Sequence, residues 1–184
     1  MLRKYSGNND GITLIEILIV IAVSAVLVGI AGLSLSMING ANTSKSATSL
    51  KSLIDKARTV SMARGASTGA ITVVQFGSDG TYVQIGSNDR EKIAGGGIDV
   101  YAGQNAGTTN AEGYSIPIES TAGLTPLASI ELEFNTAGMV TKVNGADIPD
   151  PSLIYYFAFK KGDRVNAVIL YPVTGKTENI AWFE

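Results

Sequence analysis

Twenty-eight consecutive residues, 17 to 44, carry no charge, and they read ILIVIAVSAVLVGIAGLSLSMINGANTS. The run begins after Glu16 and ends before Lys45. A helix needs about 20 apolar residues to cross a bilayer, so this run is long enough. Leu, Ile and Val fill sixteen of positions 12–38. At roughly 0.5 kcal/mol each they contribute about 8 kcal/mol to insertion, against about 3 kcal/mol for one central carboxylate. Insertion therefore wins, and wins more easily because Glu16 lies near the end of the run. Arg3 and Lys4 precede it in a polar stretch, Met1–Asp10. By the positive-inside rule they stay cytoplasmic, which places the C-terminal bulk of the chain outside.

Composition narrows the chemistry. The chain has 184 residues, with a net charge of -2 and neither cysteine nor histidine. Disulfides, thiol nucleophiles, imidazole bases and the commonest zinc ligands are thereby removed together. Serines are plentiful, but a Ser-His-Asp triad needs histidine. No motif brings a serine and a lysine together as a catalytic Ser–Lys pair. Gly95-Gly96-Gly97 lacks the rest of a nucleotide loop. Asp147 and Asp150 offer oxygens to calcium, or form an Asp/Pro turn with Pro149 and Pro151. A nucleic-acid partner calls for a basic face. The segment Gly175–Glu184 has one Lys and two Glu instead. The expectation is a protein that is not an enzyme and holds no cofactor or metal.

The boundary at Gly11 carries more than an anchor requires. Val23-Ser24-Ala25 could serve as an ordinary secretory cleavage site, but the apolar run continues well past it. A plain single-pass anchor explains everything except Gly11-Ile12-Thr13-Leu14-Ile15-Glu16. That hexapeptide resembles the class III leader junction of type IV pilins and type II secretion pseudopilins, with Ile12 where Phe is common. The resemblance implies that prepilin peptidase cuts between Gly11 and Ile12 and methylates the new Ile12 amine. It implies further partners: other pilin subunits in a filament, and the assembly platform of the cytoplasmic membrane. The precursor would be single-pass in that membrane, and the assembled subunit would lie in a surface pilus or a periplasmic pseudopilus. Loss of Arg3, Lys4 and Asp10 removes a net +1, taking -2 to -3 in the mature chain.

Glu16 has a role that physics supports beside the resemblance. It follows Ile12 by four residues and so shares its helical face. A carboxylate in a first turn favours the helix dipole. Left unpaired in a filament core it would cost several kcal/mol, and a neighbouring subunit's Ile12 amine is the natural partner. Ala25 with Gly29, and Gly32 with Ser36 and Gly40, set small residues at spacing four. That spacing suits close helix approach, or is simply tolerated in a membrane helix.

Past a polar patch, Asn39–Ser49, helical periodicity resumes. Leu50, Leu53, Ile54, Ala57 and Val60 share one stripe, and Gly65 is a stop signal. Strand text follows in hairpins. These pair Ala70–Phe76 with Thr81–Ile85, Ser129–Phe134 with Met139–Val143, and Leu153–Lys160 with Val165–Tyr171. Lys176–Phe183 forms a last strand, and Ile98–Tyr101 and Tyr114–Ile118 are weaker candidates. Residues 102–112 read as a loop. Leu53–Arg58 through Gly65, Phe134–Gly138 and Ile169–Lys176 are similar to GspH/FimT-type minor pilins.

The predicted fold class is α+β. A long N-terminal helix packs on an antiparallel β-sheet head. Residues 1–11 are a cleaved leader, 12–40 a membrane or filament-core helix, 41–65 its amphipathic half and 66–184 the head. The function expected is that of a structural filament subunit. The alternative is a membrane-anchored binding or sensor module that never polymerises.

Overall fold

A single helix, α1, occupies Leu14–Arg64, and strands fill the rest of what the computed structural model describes. The described residues are 13–66, 68–76, 79–105, 108–109, 115–116, 119–148, 150 and 154–184. The chain divides into two units, Met1–Met37 and Ile38–Glu184, with the division falling inside α1. The helix stops where glycine permits it. Gly65 has a φ of 104°, and its N–H donates to the carbonyl of Ser61 at 3.0 Å.

The strands run in chain order. They are β1 (Ile71–Phe76), β2 (Gly80–Ile85), β3 (Glu91–Gly95), β4 (Asp99–Asn105), β5 (Thr108–Thr109) and β6 (Ser115–Ile116), then β7 (Thr125–Pro126), β8 (Ser129–Phe134) and β9 (Val140–Val143). Finally come β10 (Ala146–Asp147), β11 (Ile154–Lys161), β12 (Arg164–Tyr171) and β13 (Lys176–Phe183). They build a six-stranded sheet in the order β10-β9-β8-β1-β2-β3 and a five-stranded sheet in the order β13-β12-β11-β4-β7, while β5 pairs with β6. Every pairing is antiparallel. The fold is α+β, as the sequence implies, but with two principal sheets where the sequence analysis expected one.

The stripe Leu50, Leu53, Ile54 and Ala57 is buried in one cluster with Val73, Leu132 and Phe134 of the first sheet and Phe157, Phe159 and Val168 of the second. The helix thus closes a core to which both sheets contribute. In β11 the run Ile154–Phe159 is buried throughout. Tyr155, Phe157 and Phe159 face the main core, whereas Ile154, Tyr156 and Ala158 lie in smaller clusters with Leu124, Ile180 and Trp182. A strand covered on both faces must be apolar at every position, which is why its text does not alternate.

Two expectations change. Residues 102–105 complete β4 instead of opening a loop, because β11 pairs with them from Asn105 to Ala102. The patch Asn39–Ser49 is not simply polar surface: Thr43, Ser46 and Ala47 are buried. The hydroxyls of Thr43 and Ser46 turn back onto the helix. Thr43 Oγ1 donates to Asn39 O at 3.0 Å, and Ser46 Oγ to Asn42 O at 3.0 Å, which satisfies them inside the fold.

Three sequence segments meet at Arg58. Its Nε donates to the carbonyl of Gly138 in the β8–β9 turn at 3.1 Å. The N–H of Val140 donates to Pro172 O in the β12–β13 turn at 3.0 Å. Gly175 closes that turn at φ 64°, and a Cβ there would collide with Gly138 O. Helix, first sheet and second sheet are therefore clasped at one point, where only glycine fits. Further bonds hold the helix to β12 and β13: Asn166 Nδ2 to Thr43 Oγ1 at 2.8 Å, and Thr177 Oγ1 to Asp55 Oδ1 at 2.7 Å.

Candidate assembly site

The N-terminal turn of α1 is closed by a reciprocal pair. Glu16 Oε2 accepts the Thr13 N–H at 2.8 Å and the Thr13 hydroxyl at 2.9 Å, while the Glu16 N–H donates to Thr13 Oγ1 at 3.3 Å. This is a capping box: Thr13 stands just before the helix and Glu16 three residues on. Thr13 is an addition to the residues expected at this site, although the spacing Thr-x-x-Glu is legible in the sequence. Glu16 Oε1 has no partner among the described residues. The other two predicted site residues, Gly11 and Ile12, lie outside the described residues.

Behind the cap the helix shows apolar side chains on every side. Twelve large hydrophobic residues from Leu14 to Ile30 are exposed, Val28 by 72% and Leu14 by 82%. A stripe facing a protein core would leave one polar side, and this segment has none. An apolar surface of this extent marks a surface that something else covers. Among the described residues, no helical stretch is long and apolar enough to cross a membrane. The described side chains of this apolar segment run from Leu14 to Ile30, seventeen residues, and those of 31–35 lie outside the described set. The sequence itself continues uncharged to Ser44.

Taken together, a capped N-terminus and an all-round apolar helix define a segment built to be buried by lipid or by other helices. Residues 7–32 match the model of the prokaryotic N-terminal methylation motif, a type IV pilin-like signal. Neither a curated protein nor a solved structure is matched by the chain.

In the head, the charged groups divide into paired and unpaired sets. Glu184 is the most engaged. Lys160 Nζ reaches it at 2.7 Å, the Thr121 hydroxyl at 2.8 Å, and Trp182 Nε1 at 3.4 Å. Burial alone would raise its pKa, but the bonds from Lys160, Thr121 and Trp182 outweigh burial and bring it down to about 2. The contact with Glu184 raises Lys160 in turn. This network ties the segment around Thr121 to the end of β13. Asp147 sits in β10, with Lys142 opposite in register. Among the described residues, no group of three acidic, histidine or cysteine side chains is arranged to hold a metal ion. Three lysines, Lys45, Lys92 and Lys161, line one groove, a grouping that sequence spacing could not reveal.

Proposed function

We propose that this chain is a structural subunit of a type IV pilus-like filament. The exposed apolar helix inside the methylation motif carries that reading. Prepilin peptidase cuts between Gly11 and Ile12 and methylates the Ile12 amine. The helix then leaves the cytoplasmic membrane for the core of a filament, at the assembly platform. The Glu16 carboxylate does two jobs: Oε2 keeps the helix capped through Thr13, and Oε1 accepts the methylated amine of a neighbouring subunit. A cap and a contact between subunits can coexist because a carboxylate offers about four acceptor positions.

The head supports a finer reading, a minor pilin or pseudopilin of GspH/FimT type. The three segments similar to that group converge on the clasp at Arg58, Gly138 and Gly175. A shared three-way junction gives those short matches one physical origin.

Mass spectrometry of the mature N-terminus should find methylated Ile12, and an intact Met1 would instead favour an anchored module that never polymerises. Glu16→Ala should leave membrane insertion intact and lower filament incorporation. Normal incorporation of that variant would sink the pairing of Glu16 with the amine.

A further inference from the structure

Lys45 of α1, Lys92 of β3 and Lys161 at the end of β11 line a groove of about 400 Å³, together with Ser46, Gly95 and Gly96. Among the described residues, no carboxylate lines it. Lys45 and Lys161 have no ion pair among the described residues, and Lys92 has only a long one, 3.7 Å from Asp79. The strand beside the groove, β3, ends the six-stranded sheet, so among the described residues its outer edge has no strand partner.

The opposite end of that sheet is acidic. The register sets Glu133 opposite Lys142, and Lys142 opposite Asp147, so these side chains share one face. Glu131, two residues before Glu133, lies on it as well. Ile130, Leu132 and Phe134, the alternate residues of β8, are buried, which makes the acidic face the outer one. Three carboxylates there surround one lysine, and none of the three has an ion pair among the described residues.

One sheet thus has a net-basic groove beside one edge, with Lys45 and Lys161 free of ion pairs among the described residues, and a net-acidic face at the other, three carboxylates to one lysine. A filament joins its subunits head to tail, so each surface must meet a different surface of the next copy. We propose that the groove of Lys45, Lys92 and Lys161 receives the acidic β8–β10 face, Glu131, Glu133 and Asp147, of a second copy of this chain. Opposite signs favour this register, and turning the head about would set like charges together. The contact rests on the filament reading above and specifies which faces of the head meet.

Charge exchange tests it in the full-length chain, in cells that assemble the wild-type filament. Lys45→Glu with Lys161→Glu should lower the filament recovered from the cell surface by about tenfold, and so should Glu131→Lys with Asp147→Lys. Combining the four substitutions should restore filament to within about threefold of wild type. Gly95→Glu supplies an independent block. A Cβ there meets no atom within 4 Å, so the added carboxylate enters the groove region without strain and should also reduce filament. Precursor processing and the unfolding midpoint of the purified chain should stay at wild-type values in every variant.

Wild-type filament yield from either reversed pair would overturn the proposal. So would two deficient pairs that the fourfold exchange fails to rescue, which would point to a partner other than a second copy. Failure of the filament reading itself looks different, because the wild-type chain would then keep Met1 and form no filament.

Discussion

The two halves of α1 differ in what their apolar residues meet. In Leu14–Ile30 the large side chains stand exposed, whereas Leu50, Ile54 and Ala57, farther along the same helix, are fully buried. Residues of the first half run apolar in every direction, and those of the second half keep to one stripe. A helix that is apolar all round can be satisfied only by lipid or by other helices, while one with a stripe is satisfied by its own domain. One continuous helix therefore divides its work. Its first half presents an apolar surface for lipid or other helices to cover, and its second half completes a core.

Substitutions can break that division or sharpen it. The largest stability loss should follow Phe157→Ala, which empties a fully buried site in β11 where the main core meets the helix. A loss of about 4 kcal/mol is expected, read from urea unfolding of the detergent-solubilised chain. Val28→Ala should change that midpoint hardly at all and should instead lower filament yield. If Val28→Ala destabilised the head as Phe157→Ala does, the division between the halves would fail.

Gly175→Ala comes next. The new Cβ would meet Gly138 O, and the left-handed φ of 64° adds strain, so a loss of about 2–3 kcal/mol is expected. Precursor processing should be unaffected. An unchanged midpoint would show that the clasp at Arg58 relaxes freely.

The smallest effect should come from Glu184→Gln. The folded-state pKa of Glu184 is depressed to about 2, below the ordinary carboxylate value of about 4.3. Its contribution is therefore complete above about pH 4.5 and is lost as pH falls toward 2. The pair is partly exposed, so the loss at neutral pH should be on the order of 1 kcal/mol. Unfolding measured from pH 5 down to pH 2 should show a shallower acid slope in the variant. An unchanged slope would mean that other carboxylates control acid stability.

Much of the head was legible residue by residue. The turn residues Gly80, Gly138 and Gly162 mark three hairpins, and the strands flanking them begin and end within a residue or two of where the text suggests. The strand β3, Glu91–Gly95, is not legible in the sequence, because it opens with two charges and ends in glycine. Pairing with β2 forms it, against a weak local preference. The β4 residues 102–105 read as loop for the same reason: Gly103 and Asn105 look like turn text until β11 lies beside them. At the candidate assembly site, Glu16 is legible as a first-turn carboxylate, and the cap it forms with Thr13 emerges from the structure. The groove of three lysines was not legible at all, since its members lie 47 and 69 residues apart along the chain, from 45 to 92 and from 92 to 161.

Local physics is what the sequence could determine unaided. An uncharged run of twenty-eight residues must be buried by something, and it starts after Glu16, a few residues past the polar stretch Met1–Asp10. Helix periodicity, strand alternation and turn residues are likewise properties of neighbours in the chain. The tertiary structure decided whatever depends on distant segments. It separated two sheets, buried Thr43 and Ser46 in a patch that reads as surface, and joined Arg58 to Gly138 and Gly175. It also placed opposite charges at opposite ends of one sheet. Such features follow from which strands pair, and pairing is settled by packing of the whole domain rather than by local preference.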